Sequence, residues 1–187
     1  RHLYRSIDCF SLTNSMQAKY AIQIAASLAY LAEIEQVRGH FQVAVTHLEE
    51  VLRLVGDQSV DSVRVVFEID LGIAYYWKRD LVQARFYFDR AQKVLSGVRF
   101  PWKEELLEFY QSLIACHFGE QEKVATYLAR KEGTMKQTTN ARDKGMVCYL
   151  LAFLAAQKEQ GEQLLPALSA FLKEDKGYYK KLAEQHL

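Results

Sequence analysis

The sequence predicts an all-α protein, and three observations carry that prediction. Only two prolines, Pro101 and Pro166, interrupt 187 residues. They leave long stretches of Ala, Leu, Glu, Gln, Lys and Arg, the residues that lose least on entering a helix. No alternation of apolar and polar residues is sustained well enough for a half-buried strand. Glycines at 39, 119 and 161, with Lys78-Arg79 filling the same slot in the second unit, beat at about forty residues. A period in that range marks stacked helix pairs that bury a shared core no single pair could form, a helical solenoid.

The elements follow in order. Asn14-Ser15 is a capping pair for a first helix running to Arg38, with Ile22, Ala26, Ala29 and Ala32 or Glu33 stepping by three or four. Gly39-His40 turns the chain into a second helix, Phe41 to Val55, with Val45, Leu48, Leu52 and Val55 on one stripe. Gly56 closes it. A second pair spans about Val60 to Lys78 and Asp80 to Leu95. Phe100-Pro101 opens a third, proline being tolerated in a first helical turn; its helices run to Phe118 and from Glu120 to Arg130. Lys131 to Lys144 is the longest polar break and is expected to be a loop. A fourth pair is expected over Ala141 to Gln160 and Gln163 to Lys173, and a terminal helix over 175–187. The units lie at about 20–56, 60–97, 100–132 and 140–174, within one domain that reads as part of a longer protein.

Composition narrows the function classes. Half the residues are hydrophobic and 25% are charged, with 24 basic against 23 acidic side chains and a net charge of +1. Such balance supplies no long-range attraction to nucleic acid or anionic membrane. The basic cluster Lys176 to Lys181, interleaved with Tyr178 and Tyr179, reads as a solvated cap of the terminal helix. The three cysteines, Cys9, Cys116 and Cys148, form no C-x-x-C pair and are expected to be free thiols in a reducing, cytoplasmic compartment. No apolar run approaches the ~20 residues that span a bilayer.

The second unit carries the clearest motif: Leu71-Gly72-x-x-Tyr75, then Ala84, Phe88 and Ala91. This resembles the tetratricopeptide (TPR) signature, in which small residues let two helices approach and large ones fill the gap to the next unit. Gly72 and Ala84 are then the small contacts, and Tyr75 and Phe88 the fillers. Shifting by forty finds Ala32, Ala44 and Leu48 in the first unit, and Ser112, Val124 and Leu128 in the third. The fourth unit departs from the pattern at Pro166. The usual unit has about 34 residues, so this is a long-unit variant. The resemblance implies a right-handed α-solenoid of antiparallel helix pairs with a C-terminal capping helix.

It also implies where a partner would lie. In TPR proteins the first helix of each unit lines a concave groove, which here assigns Tyr30, Ile69, Ile73, Tyr76, Trp77, Phe109, Tyr110, Leu113 and His117 to it. The Lys and Asn clamp of chaperone-binding members is missing. The rings either line an open groove for an apolar peptide or helix, or, if the longer helices close the superhelix, are ordinary core.

Catalytic and metal readings find little. Cys116 and His117 are adjacent, so on a helix their side chains diverge by about 100°. His40 and His47 lack a third ligand. Glu49-Glu50 and Glu104-Glu105 are solvated charge, and no phosphate-cradling glycine loop is present. The expectation is a non-enzymatic scaffold or adaptor that binds a protein or peptide segment, with no cofactor and no metal. The alternative is the ligand- or peptide-sensing part of a bacterial transcriptional regulator of the maltose-regulator or peptide-pheromone-receptor kind, touching nucleic acid only indirectly.

Overall fold

The computed structural model describes residues 14–56, 61–95 and 100–135, together with positions 146, 147, 149, 150 and 153. Six helices fill these stretches: α1 Asn14–Val37, α2 Phe41–Val55, α3 Asp61–Trp77, α4 Leu81–Leu95, α5 Pro101–His117 and α6 Gln121–Met135. No strand occurs among the described residues. Met146, Val147, Tyr149, Leu150 and Phe153 are helical as well. The second helix of the expected fourth pair, Gly161, Pro166, the terminal helix with Lys176 to Lys181, and Cys9 and Cys148 lie outside the described residues.

Within each pair the helices are joined by one repeated turn. Gly39, Arg79 and Gly119, forty residues apart, all hold a positive φ, at 80°, 70° and 71°. At each turn that residue's N–H bonds back three residues and the next N–H bonds back five. The bonds are Gly39 to Gln36 and His40 to Glu35, Arg79 to Tyr76 and Asp80 to Tyr75, Gly119 to Cys116 and Glu120 to Ala115, all 2.8–3.2 Å. This is the Schellman arrangement, which satisfies the last carbonyls of a helix. Two tight turns use glycine because L side chains resist the left-handed region; the third forces an arginine into it.

Two helix starts are set by side chains. Asp80 Oδ1 accepts the Gln83 N–H at 3.1 Å and caps α4. Glu104 reaches back to accept the Phe100 N–H at 2.9 Å, beside Pro101 in the first position of α5.

The chain divides into two compact units, Arg1–Leu107 and Glu108–Leu187. In the first, α1 packs on α2, α3 on α4, and α3 also lies against α2 and α1. Ile24, Ala25, Leu28 and Leu31 of α1 meet Val51 of α2 and Phe67 of α3 in one apolar cluster. Ala44 and Leu48 in α2, and Ala84 and Phe88 in α4, are fully buried. Gly72 lies against the Phe88 ring, so a Cβ at 72 would overlap it; the close contact is therefore glycine to ring rather than small residue to small residue. Polar ties also join neighbouring helices. Tyr75 donates its hydroxyl to Glu49 of α2 at 2.6 Å. Glu68, 2% exposed, accepts from Arg64 at 3.0 Å and lies 2.7 Å from Arg90 of α4.

In the second unit, Arg130 of α6 forks onto the Glu108 carboxylate of α5. Helix α6 runs to Met135, past the expected stop at Arg130. Its core stripe continues through Val124, Tyr127 and Lys131, all buried. The Lys131 ammonium stands 5.9 Å over the Tyr127 ring, so the lysine stem extends the apolar face by one more turn.

Candidate interaction surface

The nine residues that the TPR resemblance assigns to a groove do not share one environment. Ile69, Ile73, Tyr76, Trp77, Phe109, Tyr110 and Leu113 are at most 6% exposed. Trp77 meets Tyr76 edge-on at 5.1 Å and stacks on Phe41 of α2 at 6.4 Å. Phe109 meets Tyr110 and Tyr149 edge-on. His117, half-buried, lies 4.9 Å from the Phe153 ring. From the first turn of α5, buried Lys103 pairs with Asp70 of α3. Tyr30 alone of the nine is open to solvent, at 66%.

Tyr30 is not isolated. Ile34 and Val37, both 41% exposed, follow it at the four- and seven-residue steps of one helical face. The opposite side of α1 carries Ile24, Leu28 and Leu31 into the core. The apolar residues of α1 are thus spread around the helix rather than gathered on one stripe, whereas α2 is sharply two-sided. An all-round apolar helix normally belongs inside. Shifted by forty and by eighty, the Tyr30, Ile34 and Val37 positions fall on Asp70, Ala74 and Trp77 of α3 and on Tyr110, Ile114 and His117 of α5. Ala74, Trp77, Tyr110 and Ile114 are buried.

A second exposed apolar pair lies on α4: Val82 at 70% and Phe86 at 50%. The sequence reading did not single out Ile34, Val37, Val82 or Phe86. The signal was present in the register. Where α4 has Val82 and Phe86, α2 has Gln42 and Thr46, and α6 has Glu122 and Thr126.

The reactive groups are held quiet. Burial pushes the Cys116 thiol up to about 11, so almost none of it is nucleophilic thiolate near neutrality. Burial, then the Glu49 carboxylate, pushes the Tyr75 phenol well above its ordinary value. The His40 ring nitrogen, 2.6 Å from Glu35, is the main cause of that carboxyl lying below its usual range. Among the described residues no three His, Cys, Asp or Glu gather in a way that could hold a metal, and no helix is long and apolar enough to cross a membrane.

Comparison with protein-family models, with curated proteins and with solved structures finds no match.

Proposed function

We propose that the chain is a non-catalytic protein-interaction module, a right-handed TPR-like stack of long helix pairs that acts as scaffold or adaptor. The observation that carries this reading is the open face of α1. Tyr30, Ile34 and Val37 present apolar area where the equivalent positions of α3 and α5 are largely covered. A partner helix or peptide segment docks there and completes the burial that α1 lacks. Tyrosine suits this role, because it offers large area at small entropic cost and keeps a polar tip in water. The three identical turns support the repeat itself, since forty-residue spacing sets each hairpin in the same geometry.

The test is surface substitution with a partner readout. Proteins retained from a native extract by the wild-type chain are compared with those retained by Tyr30→Glu and Ile34→Glu. Both changes are on the solvent side and should leave the melting temperature unaltered. A specific partner should lose at least ~2 kcal/mol of affinity in either variant. Equal retention by wild type and both variants, or none by any, refutes the reading.

A further inference from the structure

We infer that the outward face of α4 is a second docking surface, and that its occupant is an acidic amphipathic protein segment. Four observations converge on α4. Val82 and Phe86 stand one helical turn apart, both at least half exposed, on the side away from the buried Ala84, Phe88, Ala91 and Leu95. The same register in α2 and α6 is polar, and there the hydroxyls of Thr46 and Thr126 are turned back onto the Gln42 and Glu122 carbonyls at 3.1 and 2.9 Å. The apolar pair therefore belongs to α4 in particular rather than to the repeat.

The third observation is charge. Helix α4 carries Arg85, Arg90 and Lys93 against Asp89 alone, while α2 carries Glu49 and Glu50 against Arg53. The cations of α4 border the apolar pair: Arg90 and Arg85 flank Phe86 with about two fifths of each side chain exposed, Arg85 lying 4.0 Å from the exposed Asp89 carboxylate, and Lys93 lies further along the outward face, leaving the helix net positive. The fourth is the setting of the ring. The Arg90 guanidinium stands 5.5 Å from the Phe86 centroid, and Tyr87 meets that ring edge-on at 5.2 Å. Both contacts hold Phe86 in place at the surface, where an anchor ring loses little freedom on binding. Arg90 also lies against the buried Glu68 carboxylate, which fixes the guanidinium before any partner arrives.

An apolar pair bordered by fixed cations selects a segment with apolar residues one turn apart and Asp or Glu on either side, by charge complementarity at the rim. Nucleic acid is disfavoured. The helix has only two more cations than carboxylates, and one member of the apolar pair is an aliphatic valine, 70% exposed, which neither stacks on a base nor pairs with a phosphate. The inference extends the interaction-module reading with a surface and a partner chemistry of its own, and the two can fail separately.

The experiment is a selection of random displayed peptides of about sixteen residues on the full chain at low salt. Recovered peptides are then titrated against wild type, Val82→Glu, Phe86→Glu, and the Tyr30→Glu and Ile34→Glu variants, with a single-stranded oligonucleotide as competitor. The expected result is enrichment of peptides with paired apolar residues flanked by acids. Their affinity should fall at least ~tenfold with Val82→Glu and with Phe86→Glu. It should weaken severalfold as salt rises and hold in the α1 variants. Two variants guard against loss of fold in one, and circular dichroism checks both. Peptides that bind Phe86→Glu and Val82→Glu as tightly as wild type overturn the inference. If those same peptides are lost on Tyr30→Glu, the α1 reading survives alone. Recovery of no peptide overturns both, and displacement of bound peptide by the oligonucleotide assigns the face to nucleic acid instead.

Discussion

Arg79 occupies a backbone conformation that glycine holds at 39 and 119. Left-handed backbone costs an L residue about 1–2 kcal/mol, and glycine gives back part of that gain through its freer unfolded chain. Arg79→Gly is therefore expected to stabilise the protein by about 0.5–1 kcal/mol, read as a rise in Tm of roughly 2 °C. An unchanged or lower Tm means that the arginine side chain holds the turn. At Gly72 the sign reverses. A methyl group there would overlap the fully buried Phe88 ring, and a ring enclosed on all sides cannot swing clear. Gly72→Ala should cost about 1–3 kcal/mol in urea denaturation. Adding Phe88→Leu should return part of the loss, as expected for side chains in contact; simple additivity would show that the overlap is relieved elsewhere.

At the scale of elements, helices and turns were legible because long runs of helix-forming residues, striped with apolar ones in α2 and α4, are punctuated at Gly39, Lys78-Arg79, Pro101 and Gly119. What the stripes meet was not legible. The period that identifies an inward face is the same whether a neighbour covers it, as at Trp77, or leaves it open, as at Tyr30. Burial depends on residues far away in sequence. The end of α6 was misjudged for a related reason: Lys131 scores as polar, yet its stem is packed beside Tyr127. The ties between helices were invisible for the same cause. Glu68 is one acid among many in the sequence, but in the fold it joins α3 to α4 from a buried position. Glu68→Ala should destabilise by about 2 kcal/mol, less than the full cost at a sealed ion pair because both guanidiniums reach water. Arg90→Ala in that background should then cost less than it does alone. Equal costs in both backgrounds would show that the two do not interact.

For the molecule as a whole, the titrating groups set the pH range of stability. Tyr75 and Cys116 have raised folded values. Their contribution is complete below the unfolded values, ~8.5 for a thiol and ~10 for a phenol, and is lost as pH rises through the folded ones. Glu35 and Glu50 have lowered folded values, caused first by hydrogen bonds from His40 and Arg53. Their contribution is present above the usual carboxylate range and is lost as pH falls through the folded values. The urea midpoint should be flat between about pH 5 and 8 and fall on both sides. A midpoint still rising above pH 10 would contradict the neutral, buried state of Tyr75. His40→Ala should return the Glu35 carboxyl toward its ordinary value, measurable by carboxyl NMR titration.

Lys78 and Arg79 form an exposed dibasic pair at the end of α3, the kind of sequence a trypsin-like protease recognises. Such enzymes bind their substrates extended, yet here the backbone is folded back on itself and held by two hydrogen bonds. Accessibility alone does not permit scission; the last turn of α3 must first come undone. Nicking at this bond would therefore clock the fraying of one helix end, and the chain carries its own reporter of local opening.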